Sequence, residues 1–357
     1  MTKEQIVQEF KINGTTDTIT PYGSGHINDT YLVVMAETKK RYILQRMNTS
    51  IFTKPEELME NITGVTSFLA EKIKERGGNP ERETLNIIRT KEGKSFLVTE
   101  DKEYYRMYDF IEDAVSFDEV KDAADFYESA VAFGNFQHLL ADYPAKTLHE
   151  TIKDFHNTKK RFHDLEFAIV ADKAGRRKLV DAEIAFVYQR KDEVSFLTEL
   201  LEAGELPLRV THNDTKLNNI MMDKDTKKGI CVIDLDTVMP GLSLYDFGDS
   251  IRFGANTAAE DEVDASKVSL NLKLYHLYKK GYLKGCAGSL TEREKELLPM
   301  GAKLMTFECG MRFLTDYLNG DTYFKIHREN QNLDRARTQF ALVADMEKKW
   351  EQMKEER

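Results

Sequence analysis

The chain has 357 residues, with 51 Lys plus Arg against 61 Asp plus Glu, so its net charge is −10. An acidic chain whose basic residues are interleaved with acids excludes the clustered Lys/Arg of a nucleic-acid binder. Hydrophobic residues at 41% exclude a disordered chain, and only 7 Pro and 20 Gly point to a helix-rich protein. The best apolar run is Tyr31 to Ala36, far short of the roughly 18 residues of a membrane span. The charged start, Met1-Thr2-Lys3-Glu4-Gln5, has no apolar leader core. Cys231, Cys286 and Cys309 match neither a disulfide framework nor a zinc site. A cytoplasmic location is the expectation.

In chain order, three strands are expected at 17–20, 30–35 and 41–47, separated by glycine-rich and charged turns. A helix follows from about Lys54 to Arg76, ended by Gly77-Gly78, then strands near 85–90 and 95–100. Tyr104 to Ile111 is a further apolar run leading out of this sheet. Ser116 with Glu119 forms a capping box before an amphipathic stretch reaching about Leu140. Helical periodicity returns at Lys178 to Ala203, in the segment opened by Thr291 and Glu294 and ending near Gly320, and from Asn332 onward. An island at 208–254 interrupts the helices with two short strands, Asn219 to Met222 and Ile230 to Ile233. The expected organisation is α+β: a small antiparallel-sheet lobe over residues 1–111 and a larger, mostly helical lobe over 112–357.

The island carries the chemistry. His212-Asn213-Asp214-Thr215-Lys216-Leu217-Asn218-Asn219 places a carboxylate and an amide five residues apart, and the apolar strand Ile230-Cys231-Val232-Ile233 runs into Asp234. Phosphoryl transfer from ATP requires a carboxylate to orient and deprotonate the attacking hydroxyl, and oxygen donors to hold Mg²⁺ on the phosphates. Asp214 suits the first task, Asn219 and Asp234 the second, and Lys216 can offset charge on the transferred phosphoryl group. The glycine turn Gly23-Ser24-Gly25-His26 offers backbone N–H groups to the nucleotide. Where kinases place a phosphate-contacting lysine after a strand, this chain has Gln45-Arg46. Arg46 is the substitute by charge, with Glu60 a candidate helix partner, but strand alternation sends Gln45 and Arg46 to opposite faces.

HNDTKLNN, VIDLDTVMPGLSLYDFGDSIRFGA and ECGMRFLTDYLNGDTYFKI resemble the N-acetylhexosamine 1-kinases, within the aminoglycoside phosphotransferase and choline kinase branch of the protein-kinase-like fold. The resemblance implies a bilobal kinase that uses Mg²⁺ and ATP to convert N-acetylglucosamine or N-acetylgalactosamine to the sugar 1-phosphate. It carries Asp214 over as catalytic base and Asn219 and Asp234 as magnesium ligands. It points to Arg312 and Tyr323 for the sugar, leaves Asp236 either behind the metal ligands or close to the sugar, and gives the nucleotide base the backbone groups of the crossover Tyr108 to Glu112, including Phe110. Asp246-Phe247-Gly248 spells the protein-kinase magnesium motif, but the resemblance leaves Asp246 to fix the loop that follows it through backbone N–H groups. Two rivals are a kinase for a cationic alcohol, with which the acidic run Glu260 to Asp264 is compatible, and a silent binding module, against which Asp214, Asn219 and Asp234 argue.

Overall fold

The computed structural model describes residues 1–23, 27–117 and 122–355. The chain divides into two units, each assembled from separated segments. The first takes in Met1–Ser116, Asp142–Lys153 and Asn219–Pro240; the second takes in Phe117–Ala141, Asp154–Asn218 and Gly241–Arg357.

The first unit is built on an antiparallel sheet of β1 (Thr16–Pro21), β2 (Asp29–Met35), β3 (Arg41–Arg46), β4 (Ile87–Ile88), β5 (Leu97–Val98) and β6 (Tyr104–Asp109). The strand order is β1-β2-β3-β6-β4, with β5 paired to β6. Successive side chains of a strand point to opposite faces, and β3 and β6 use this to separate two environments. Tyr42 and Leu44 of β3 join Tyr105 and Met107 of β6 in an apolar cluster under Ile6, Val7 and Phe10 of the N-terminal segment. Gln45 and Arg106, paired in register, therefore lie on the other face. The helix Pro55–Glu75 begins with Pro and two glutamates and ends with Lys72 and Lys74 in its last turn, matching the helix dipole at both ends.

Residues 219–240 belong to this unit, not with the helices that surround them in sequence. Ile220–Asp223 pairs with Gly229–Val232 and with Ala114–Val115. Arg82 donates to Asp223 Oδ2 at 3.1 Å, and the buried Asn61 amide donates to the carbonyls of His149 and Val238 at 2.8 and 3.0 Å. These contacts shift the grouping away from the single boundary expected at residue 111, because a strand pair far along the chain completes the first unit.

The second unit is helical. Ala123–Leu139 starts on Asp122, whose side chain accepts the Ala124 N–H; Glu119, expected to cap this helix, lies outside the described residues. It packs on Leu272–Cys286 through glycines: a Cβ on Gly134 would stand 2.2 Å from the Tyr282 carbonyl oxygen, and one on Gly285 2.2 Å from that of Val131. Glu292–Asn319 opens with the expected Thr291/Glu294 capping box and ends at Gly320, at φ +95°. The expected helix over 178–203 is two helices, Asp181–Tyr188 and Phe196–Glu202. Between them the Arg190 side chain donates to the Phe186 carbonyl at 2.9 Å and Lys191–Glu193 form a 3-10 turn. No helix among the described residues is long and apolar enough to cross a membrane.

Candidate active site

In the second unit the loop from His212 to Asn218 is held by one helix, Ser243–Gly254. Asp246 accepts the N–H groups of His212 and Asn213 at 3.0 and 2.8 Å, and the Gln137 amide at 2.8 Å. One turn on, Asp249 accepts the Thr215 N–H at 3.0 Å and Ser250 donates to the Thr215 carbonyl at 2.9 Å. Residues three and four apart share a helix face, so Asp246, Asp249 and Ser250 grip the loop together. Asp246 thus holds a loop through backbone N–H groups, but it is the preceding His212–Asn213 loop and not the following one as expected, because the helix that carries it packs back on that loop; Asp249 and Ser250 were not anticipated, and their signal was the D-x-x-D-S spacing. Burial pushes the Asp246 carboxyl up, and the charge of His212 with the three donors partly offsets this.

This grip fixes Asn213 at φ +66°, a left-handed conformation accessible to asparagine. His212 is fully buried, edge-on to Phe133 and Phe136, and its Nδ1 accepts the Asp214 N–H at 3.3 Å. It is a scaffold for the loop. Asp214 stands part-exposed, with the Lys216 ammonium on its Oδ1 at 2.8 Å. Burial works to lower the Lys216 pKa, but the Asp214 carboxylate outweighs it and holds the value above the ordinary lysine range. Lys216 is therefore a fixed positive charge beside the candidate base.

The acceptor-side residues also cluster in this unit. Glu308 lies buried in the helix Glu292–Asn319 and accepts the Thr158 hydroxyl at 2.8 Å, with His156 Nδ1 at 2.9 Å from its other oxygen. His156 Nε2 reaches the Asn213 carbonyl at 3.3 Å, linking this cluster to the residue before Asp214. Burial acts to raise the Glu308 carboxyl, yet the His156 hydrogen bond and the charges of His156, Arg312 and Arg161 hold it below the usual range. Arg161, pushed down by burial and by Arg312, donates to the Phe155 carbonyl at 3.0 Å. The Arg312 guanidinium lies over Phe155 and Phe324, 5.3 and 5.5 Å from their centroids. Tyr323 is exposed, its ring edge-on to Phe324 and its N–H donating to Asp316 at 2.8 Å. Arg312 and Tyr323 thus both contact the Phe324 ring. Trp350 packs beneath the Lys303 ammonium, 5.9 Å from its ring.

In the first unit, Asn219 and Asp234 flank the end of the strand pair, where the Ile233 N–H donates to the Asn219 carbonyl at 2.9 Å. Asp234 sits exposed in a left-handed conformation at φ +57°. One amide and one carboxylate are hard oxygen donors, and so small a protein set fits Mg²⁺, which retains waters and takes substrate phosphates as ligands. Asp236 is not available to a sugar. Its two oxygens accept from Arg106 Nη1 at 2.5 Å and Asn28 Nδ2 at 2.6 Å, and the residue is buried.

Arg106 is the residue that sequence reasoning missed, concealed inside the apolar run Tyr104 to Ile111. Its side chain is almost fully buried; Nε donates to Gln45 Oε1 at 2.9 Å, and its guanidinium lies 5.5 Å from the Tyr108 ring centroid. Arg46, by contrast, points to the opposite face and is bound on the surface by Asp29 and Glu103, at 2.6 and 2.7 Å. That geometry removes Arg46 as the substitute for the strand lysine and gives the inward place to Gln45. Glu60 is likewise exposed and bonded to His149 at 2.7 Å; the residue of its helix that meets Arg106 is Met59, at 4.0 Å. Gly23 has φ +81°, as a turn requires, while Gly25 and His26 lie outside the described residues. Tyr108 is buried, with its hydroxyl pushed up by burial. Phe110 stacks edge-on with Tyr22 at 5.8 Å and lies under Arg41 at 4.1 Å. The Asp109 and Phe110 amides already donate to Asn86 and Arg41.

Three solved structures have the same fold. An ethanolamine kinase from Plasmodium vivax is 15% identical, with 95% of this chain and 84% of that one covered at a TM-score of 0.57. An aminoglycoside phosphotransferase from Alicyclobacillus acidocaldarius is 11% identical, with 99% and 97% covered at 0.56. An ADP-bound aminoglycoside phosphotransferase is 12% identical, with 93% and 95% covered at 0.52. The α+β arrangement of antiparallel sheet and helices is thus the protein-kinase-like fold of these enzymes. A family model described as the phosphotransferase enzyme family matches residues 18–272, a span that contains Asp214, Lys216, Asn219 and Asp234, and the chain belongs to that family.

Proposed function

We propose that this phosphotransferase moves the γ-phosphoryl group of ATP to the anomeric hydroxyl of an N-acetylhexosamine. Asp214 orients that hydroxyl and takes its proton as the oxygen–phosphorus bond forms and ADP departs with the electrons of the broken bond. Lys216, held on Asp214, supplies a positive charge beside the reacting groups. Asn219 and Asp234 would hold Mg²⁺, which neutralises phosphate charge when bound.

The observation that carries the substrate reading is the pair of guanidiniums, Arg161 and Arg312, grouped around Glu308, one hydrogen-bond link through His156 from the residue before Asp214. Two arginines with aromatic faces suit a neutral acceptor rich in hydroxyl and carbonyl oxygens, and they oppose a cation. The acidic run that favours a cationic acceptor is occupied: Glu260 pairs with Arg252 at 2.8 Å, and Asp261 accepts from Gln331 at 2.9 Å. The names of the similar solved enzymes keep amino alcohols and aminoglycosides as the second reading. A panel of N-acetylhexosamines, ethanolamine, choline and aminoglycosides with Mg·ATP tests both, with products assigned by ³¹P NMR. Sugar 1-phosphate is the expected product; phosphate on another oxygen, or turnover confined to amines, overturns the reading.

A further inference from the structure

We propose that Arg106 provides the positive charge that binds the nucleotide phosphates, one strand away from the position where kinases carry a lysine. The inward residue at the end of β3 is Gln45, which is neutral, and its carboxamide is held between the Thr30 hydroxyl at 3.0 Å and Arg106 at 2.9 Å. Arg106 stands directly opposite in register on β6, so the charge has moved across the sheet by one strand while staying on the same face.

Two further relationships connect Arg106 with phosphate binding. Its partner Asp236 lies two residues after Asp234, and Asp234 acts electrostatically on the same guanidinium. The other Asp236 oxygen holds Asn28, whose own side-chain oxygen accepts the Asn48 N–H at 2.9 Å. One carboxylate thus ties the guanidinium, Asn28 at the edge of β2 and the loop bearing Asp234. Nε and Nη1 are bonded within this network. Hydrogen bonds from a guanidinium to a charged phosphate oxygen are among the strong ones. Arginine also offers a phosphate two donors in one plane.

This inference rests on the ATP half of the proposed function and not on its sugar half. The test is calorimetric binding of adenosine, ADP and Mg·ADP to the full chain without sugar. In Arg106→Met/Asp236→Asn, which avoids leaving the Asp236 carboxylate buried alone, ADP and Mg·ADP should weaken roughly 10- to 100-fold while adenosine stays within about twofold. Arg106→Lys, which keeps a charge, should recover part of the loss. Unchanged ADP affinity in both variants, or an equal loss for adenosine and ADP, overturns the inference and gives Arg106 a purely structural role. Failure of the sugar panel with these affinities as expected overturns only the substrate reading.

Discussion

Asn213 gives its N–H to Asp246 at 2.8 Å, and its carbonyl faces His156 Nε2 at 3.3 Å. The peptide groups on both sides of this left-handed residue are therefore held from two directions, and Asp214 follows it immediately. Replacing Asp246 by Asn puts an amide N–H₂ among groups that are themselves donors, leaving at least one buried donor unmet at about 1–3 kcal/mol. Asp246→Asn should lower unfolding stability by that amount in urea and reduce kcat more than the KM for ATP. A variant with wild-type stability and kcat would remove Asp246 from its loop-holding role.

Asp214 stands part-exposed with Lys216 on its Oδ1, so its substitution tests the chemical step. Asp214→Asn should leave ADP affinity within about threefold and lower kcat by about 10²–10⁴-fold, the usual contribution of a general base. Single-turnover quench experiments with radiolabelled ATP measure this directly, and retention of more than a tenth of wild-type turnover would assign the base elsewhere.

Arg312 lies between Phe155 and Phe324 and shares the field of Glu308 with Arg161 and His156. Loss of hydrogen bonds from a charged donor to sugar oxygens costs about 1.5–3 kcal/mol. Arg312→Met should therefore raise the sugar KM by about 10- to 100-fold with little change in the ATP KM. Equal increases for both substrates would show that the helix had moved instead.

Acid should unfold the second unit for a specific reason. Glu308 and the buried Asp249, the latter paired with Arg252 at 2.9 Å, both have carboxyls held below their ordinary values despite burial. A carboxyl lowered in the folded state stabilises it above the unfolded value and loses that contribution as pH falls through the folded one. The melting temperature should be flat above about pH 5 and decline below about 4.5, the ordinary Glu value. Asp246, raised by burial, acts in the opposite sense, favouring the folded state as it gains a proton. Glu308→Gln should make the acid decline shallower in scanning calorimetry between pH 3 and 7; an unchanged slope would exclude Glu308 as a contributor.

The chemistry-bearing residues were legible where they were close in sequence. Asp214, Lys216 and Asn219 lie on one loop, and Asp234 ends the next apolar strand, so spacing sufficed. The Pro55–Glu75 and Glu292–Asn319 helices were legible because caps and glycines mark their ends. Arg106 was not, because a charged residue within Tyr104 to Ile111 reads as the solvent side of a strand until its partners, Gln45 and Asp236, are known to be there. The choice between the two places open to Asp236 was hidden for the same reason, since its partner is 130 positions away. The break within 178–203 was hidden because apolar periodicity continues across Arg190.

The segmented first unit constrains synthesis. When residue 116 leaves the ribosome the sheet is complete, yet the strand pair that joins Ala114–Val115 and covers Ile111 through Cys231 begins at residue 220. At roughly 5–20 residues per second, that interval of about 100 residues lasts on the order of 5–20 seconds. Throughout that interval Ile111 and Ala114 lack the cover that Cys231 gives them in the folded chain. Expressing residues 1–116 alone should give an aggregating product for the same reason.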